Sequence, residues 1–237
     1  MEKLKKVKNF ITSKTFILLV ICILLFVLLI AEFFFFKDKV EKAKKNPYEI
    51  EVSPTDNFVF LGDSITEYYP LQELFDGLPV VNSGVAGYTT EDILNVLDTK
   101  VPIYNPTKVF ILIGTNDLKY GKSNEEIVNN IKTIVERILE KRPETKIYIE
   151  SIYPINNTDN EQIEKEKVGI RANENIQLIN KELKKYCKDN NYVYIDMYSE
   201  LVDKDGNLDL KYTTEGLHIS DLGYLKITKV LYEYLND

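Results

Sequence analysis

Phe16 to Phe36 reads FILLVICILLFVLLIAEFFFF, an apolar run interrupted only by Glu32. As a helix rising about 1.5 Å per residue, it spans roughly 31 Å, enough to cross the hydrocarbon core of a bilayer. A secretory signal would have a shorter apolar core and a small-residue cleavage site, and neither is evident here. Cys22 is preceded by Ile21 and followed by more apolar sequence, so it does not read as a lipidation site. The expectation is an uncleaved single-pass anchor over 16–36, with a short basic tail at 1–15 and the fold carried downstream. Lysines flank the run equally, with Lys3, Lys5, Lys6, Lys8 and Lys14 before it and Lys37, Lys39, Lys42, Lys44 and Lys45 after it. The positive-inside rule therefore gives no orientation.

Residues 37–54 (KDKVEKAKKNPYEIEVSP) are charged, lack apolar periodicity and end at Pro54, and are read as a stalk. Residues 1–54 hold ten Lys against six acidic side chains, a net +4, so a whole-chain charge of −7 leaves −11 on the remainder. An acidic domain argues against a nucleic-acid partner. Of the two cysteines, Cys22 lies in the apolar run and Cys187 in the domain, so no disulfide forms within the domain. With one histidine and one cysteine outside the run, no metal site is expected.

From Thr55 onward the periodicity alternates. Asn57–Leu61, Pro79–Val81, Lys108–Ile113, Lys146–Ile152 and Tyr192–Met197 read as strands. Helices are expected over Thr90–Leu97, Asn124–Lys141, about Glu164–Asn190 and about Ser220–Leu235. In Asn124–Lys141, Ile127, Ile131, Ile134, Val135 and Ile138 share one face, and Ser123 with Glu126 forms a capping-box pattern. Strands alternating with helices predict a three-layer α/β/α domain of flavodoxin-like type over 55–237, built on a five-stranded parallel sheet. Sites in such sheets lie at the carboxyl ends of the strands.

Polar clusters follow the first three strands: Gly62-Asp63-Ser64-Ile65-Thr66, then Asn82 to Thr90, then Gly114-Thr115-Asn116-Asp117. A serine at a strand-to-helix turn presents its hydroxyl above the sheet edge. Equally, Asp63 or Ser64 is an ordinary helix N-cap. Gly87 suits a left-handed turn, and the Asn116 amide suits an oxyanion or a simple turn. The only histidine, His218, follows Glu215 by three residues. A carboxylate there can accept from the imidazole Nδ1–H and fix its tautomer. Asp209 is a less favoured alternative for that role. Tyr148, Tyr153, Tyr192, Tyr194 and Tyr198 read as sheet packing, Asp196 as a structural cap, and Tyr88 as a candidate pocket residue.

Ser64, Gly87, Asn116 and His218, in this order and in these contexts, resemble the SGNH hydrolases, the GDSL-type esterase and lipase superfamily. The resemblance covers residues 57 to about 235, with Ile65 where the GDSL label has leucine. It implies a serine esterase, working without a cofactor, in which Ser64 is the nucleophile and His218 the general base and acid. Ser64, Gly87 and Asn116 would supply the oxyanion hole, and Asp63 would order the nucleophile loop. The family pattern places Asp three residues before the histidine. Here Glu215 is one methylene longer, so the turn must fold back slightly. In some family members the histidine instead pairs with a backbone carbonyl.

The resemblance also favours a domain outside the cytoplasm, and the anchor and short stalk would hold it near the membrane, which fits an ester of the cell envelope. The expected substrates are O-acetyl groups of a wall polysaccharide first and a lipid ester second. The absence of an obvious lid insertion favours short acyl chains. An O-acyltransferase acting on wall sugars and a catalytically silent envelope-binding module are the alternatives.

Overall fold

A computed structural model describes residues 14–44, 50 and 52–235, in two compact units, 1–45 and 46–237. In the first unit, helix α1 runs Lys14–Lys44. Its stretch Ile17–Lys37 is long and apolar enough to cross a membrane, a property shared with signal sequences, and its side chains are exposed. The helix continues beyond the apolar run into the charged segment read above as a stalk. Residues 37–44 (KDKVEKAK) are mostly good helix formers, and nothing there breaks the ladder.

The second unit is a five-stranded, wholly parallel sheet in the order β2-β1-β3-β4-β5, with helices on both faces. This is the flavodoxin-like strand order. The strands are β1 Phe58–Gly62, β2 Val80–Gly84, β3 Lys108–Leu112, β4 Lys146–Glu150 and β5 Val193–Ile195. Strand β2 is shifted and longer than its apolar residues indicate. Asn82, Ser83 and Gly84 are poor strand formers but pair in register with Phe60, Leu61 and Gly62. The neighbouring strand overrides their intrinsic preference.

Alternation along the central strands sorts the core into two layers. Val59 and Leu61, with Val109, Ile111, Ile147 and Ile149, face one cluster. That layer is covered by α4 (Thr90–Lys100), α6 (Asn124–Lys141) and α8 (Asn173–Asn190). Helix α6 has the bounds its periodicity predicts, and the Ser123 hydroxyl accepts from the Glu126 N–H at 3.2 Å.

On the opposite face, Phe58, Phe60, Phe110, Leu112 and Tyr148 pack with the short helices α2 (Ser64–Glu67) and α3 (Leu71–Leu74), α9 (Met197–Leu201) and the last helix α10 (Asp221–Leu235). Phe60, Phe110 and Tyr148 are register partners and stack with centroids 4.6 Å apart at each step. Each such pair adds about 0.5–1.5 kcal/mol beyond area burial. Two further short helices, α5 (Thr115–Lys119) and α7 (Lys165–Val168), lie in the loops.

The helix expected over about 164–190 is two helices. It breaks after α7 because Gly169 takes φ +63 and ψ −141, a conformation open essentially to glycine. Gly169 to Ala172 cross between α7 and α8, and Arg171 turns inward to 3 % exposure.

A buried acid lies at the edge of the aromatic layer. Glu150 ends β4 and accepts from the Tyr153 hydroxyl at 2.5 Å. Burial pushes its carboxyl up to about 7, against the smaller lowering effect of that hydrogen bond. Because the folded-state pKa lies above the unfolded one, the folded state binds the proton more tightly between about pH 4 and 7. The cost of the buried charge is therefore full above pH 7 and relieved as pH falls. The unfolding free energy should rise between pH 8 and pH 5, on the order of 2 kcal/mol from this group. Glu150→Gln should flatten that gain in denaturant titrations at the two pH values, and an unchanged pH dependence would contradict the assignment.

Candidate active site

The pairing of β1 with both neighbours brings three loops to one sheet edge. Gly62 is register partner to Gly84 on one side and Leu112 on the other. The chain segments that follow, 63–67, 85–90 and 113–119, therefore leave the sheet side by side. Gly62 and Gly84 are required by close approach. A Cβ on Gly84 would lie 2.3 Å from the Glu67 nitrogen, and one on Gly62 would lie 2.4 Å from the Leu112 carbonyl oxygen.

Ser64 opens α2 directly after β1. Asp63 caps this helix, its Oδ1 accepting from the Ile65 N–H at 3.0 Å. Asn82 holds the other end, its amide donating to the Thr66 carbonyl at 2.8 Å. Both readings of the Gly-Asp-Ser segment thus hold: a helix cap, and a serine presented at the sheet edge. As first residue of the helix, Ser64 has a backbone N–H with no intrahelical acceptor.

His218 reaches Ser64 from 154 positions away, with Nε2 3.0 Å from Oγ. The bridge between Thr213 and Ile219 closes the loop that carries it. Thr213 Oγ1 accepts from the Gly216 N–H and donates to the His218 carbonyl, both at 2.8 Å. Gly216, at φ +104, permits the tight turn. Beyond the loop, the Tyr224 hydroxyl on α10 donates to the Ile65 carbonyl at 2.8 Å, fastening this helix to α2.

Within that turn one oxygen of Glu215, Oε1, meets both the His218 backbone N–H at 2.9 Å and Nδ1 at 2.6 Å. The extra methylene is absorbed by folding the side chain back over its own turn, where the Thr214 hydroxyl binds the second oxygen. Burial opposes ionisation of Glu215, but the hydrogen bonds from His218 and Thr214 outweigh it and hold the carboxyl down to about 2. Glu215 is thus an anion throughout the neutral range. Asp209 does not approach the histidine in this way; it caps the turn at Leu210–Tyr212 and pairs with Lys211 at 2.6 Å.

Gly87 takes φ +82, and a Cβ there would meet nothing within 4 Å. Its backbone angle, not crowding, requires glycine, and the space beside it is open. The Ala86 N–H donates to the Glu67 carboxylate at 2.5 Å, tying this loop to α2. Asn116 Nδ2 donates to the Tyr88 carbonyl at 3.0 Å, tying it to the third loop. Tyr88 thus meets Asn116 through its backbone carbonyl. Asp117, fully buried, accepts from the Thr90 N–H at 2.9 Å and hydroxyl at 2.6 Å, which holds the start of α4.

Three features of the site were not read from the sequence. Tyr68 lies beside His218 with ring centroids 5.5 Å apart, and it is exposed. Arg171 donates from Nη2 to the Asn116 Oδ1 at 3.0 Å. Asp63 is buried with Oδ2 unpartnered among the described residues. Burial raises its pKa to about 6, against the lowering effects of the Ile65 N–H, Arg171 and His218. A glycine inside a helical pattern, followed by an arginine, was the one available signal for Arg171. Nothing marked Tyr68 beyond its nearness to Ser64. Among the described residues no group of three or more His, Cys, Asp or Glu side chains is arranged to hold a metal ion.

Known proteins resemble this chain in sequence and fold. The chain is 27% identical over 182 residues to platelet-activating factor acetylhydrolase IB subunit alpha1 of Bos taurus, covering 75% of this chain and 74% of that protein. A solved structure from Streptococcus pneumoniae superposes with TM-score 0.71 at 35% identity. The match spans 89% of this chain and 98% of that one. The lipase/acylhydrolase of Enterococcus faecalis shares the fold, with TM-score 0.61 and 23% identity over 76% of this chain and 95% of that one. The model of the GDSL-like Lipase/Acylhydrolase family matches residues 60–226. The chain belongs to this family and is a GDSL-type acylhydrolase.

Proposed function

We propose that the chain is a serine esterase that removes short acyl groups from a cell-envelope ester through an acyl-enzyme. The observation that carries the reading is the unbroken hydrogen-bond chain from Ser64 Oγ through the His218 ring to Glu215 Oε1. An anionic Glu215 at Nδ1 favours the tautomer with the proton on that nitrogen, leaving Nε2 free to accept. His218 takes the Ser64 proton as Oγ attacks the ester carbonyl carbon. Charge developing on the carbonyl oxygen is met by the N–H groups of Ser64 and Gly87 and by the second N–H of the Asn116 amide. His218 then protonates the departing alkoxide as the C–O bond breaks, leaving Ser64 acylated. Water, deprotonated by the same imidazole, attacks the acyl carbon and restores the serine.

A short acyl group accords with the acetylhydrolase named among the relatives. An envelope substrate, a wall polysaccharide ester before a lipid ester, rests on the apolar N-terminal helix as a single-pass anchor with the catalytic domain outside the cytoplasm.

With p-nitrophenyl acetate, Ser64→Ala and His218→Ala should each lower kcat by ~10³-fold or more, and Glu215→Gln by roughly 10²–10⁴-fold. Equal rates for wild type and both alanine variants would remove the esterase reading, and an unchanged Glu215→Gln would remove Glu215 from the relay. Protease added to intact cells should release the 46–237 unit, whereas a protected chain would place it in the cytoplasm.

A further inference from the structure

The guanidinium of Arg171 is held by five oxygens, none of them a carboxylate. Nε donates to the Thr115 carbonyl at 2.8 Å and to its hydroxyl at 3.0 Å. Nη1 donates to the carbonyls of Lys167 at 2.9 Å and Val168 at 2.7 Å, and Nη2 to Asn116 Oδ1 at 3.0 Å. A buried cation normally requires an anionic partner to offset its lost hydration. Here every hydrogen bond goes to a neutral oxygen, the buried Asp63 acts on the guanidinium only through space, and the charge faces the back of one side-chain amide.

That amide is pinned on both sides. Its oxygen accepts from a donor that cannot act as an acceptor, and its nitrogen donates to the Tyr88 carbonyl, so exchanging O and N would break both bonds. One N–H of Asn116 is left to point elsewhere. A hydrogen bond from a cation to the amide oxygen also polarises the amide, making the remaining N–H a stronger donor.

We propose that Arg171 is a positioning residue of the oxyanion hole, fixing the orientation of the Asn116 amide and strengthening its free N–H toward the developing oxyanion. The inference rests on the reading of Asn116 as an oxyanion donor. Arg171 touches no reacting atom and acts on the oxyanion through Asn116. Its removal therefore affects the transition state more than the bound ester, and the effect requires Asn116 to be present. The break at Gly169 is what makes this possible. A continuous helix through 164–190 would not turn the chain at 169–172, where Arg171 enters the core.

The test is a double-mutant cycle on the full chain with p-nitrophenyl acetate, comparing wild type, Arg171→Lys, Asn116→Ala and the double variant, with Ser64→Ala as reference. Lysine keeps the charge but lacks the planar fork. Arg171→Lys should lower kcat by about 10–100-fold with KM within about twofold, bounded by the 10²–10³ expected for losing the donor itself. In the Asn116→Ala background the same change should cost less than about twofold. Multiplicative losses, or a loss expressed mainly in KM, would overturn the proposal, as would an unchanged kcat. If Arg171→Lys does not unfold cooperatively, Thr115→Val removes a single acceptor of the guanidinium and serves in its place. It should lower kcat by about 3–10-fold, again only when Asn116 is present, and an unchanged kcat would overturn the proposal. A wild-type rate equal to that of Ser64→Ala would instead refute the esterase reading and this inference with it.

Discussion

The parallel pairing of β1 with β2 and β3, residue for residue from Phe58 to Gly62, is the constraint on which the site depends. A parallel sheet buried on both faces fixes register through its two side-chain layers, because a slip of one residue would exchange them. The stacked Phe60, Phe110 and Tyr148 on one face, and the aliphatic residues on the other, make that exchange costly. With register fixed, the three strands end at one level. Ser64, Gly87 and Asn116 then belong to adjacent loops although they are far apart in sequence.

The histidine arrives by a different route. It lies on no strand, and its position depends on a closed turn between Thr213 and Ile219 and on α10, which is anchored to α2 through Tyr224. Within the turn, Glu215 binds the backbone and the ring of His218 with one oxygen, so the carboxylate sets the loop and the imidazole together. In this way the glutamate side chain reaches the imidazole from the position where the resemblance leads one to expect aspartate. The longer side chain curls over its own turn, and a hydroxyl one residue away stabilises the curl.

Much of this was legible in the sequence, for reasons tied to particular residues. The apolar face of Asn124–Lys141 and the Ser123 cap defined that helix, and β-branched and aromatic runs located the strands. The polar blocks after strands one to three, with a lone histidine near the end, marked the candidate site. What was missed lay where tertiary context overrode local preference. Asn82 to Gly84 form strand only because β1 pairs with them. Gly169 in an otherwise helical pattern could have been tolerated within a helix. Only its backbone angles reveal a break, and with it the entry of Arg171 to the site. Side-chain partners such as Arg171 with Asn116, 55 positions apart, leave no periodic trace.

The central claim is that Ser64 is a nucleophile activated by His218. Diethyl p-nitrophenyl phosphate tests it directly, since an activated hydroxyl attacks phosphorus, expels p-nitrophenolate and retains the diethylphosphoryl group. Peptide mass analysis of the treated full chain should find that group on Ser64, with the labelling rate collapsing in His218→Ala. Labelling at another residue, or labelling of Ser64 in His218→Ala at the wild-type rate, would contradict the account.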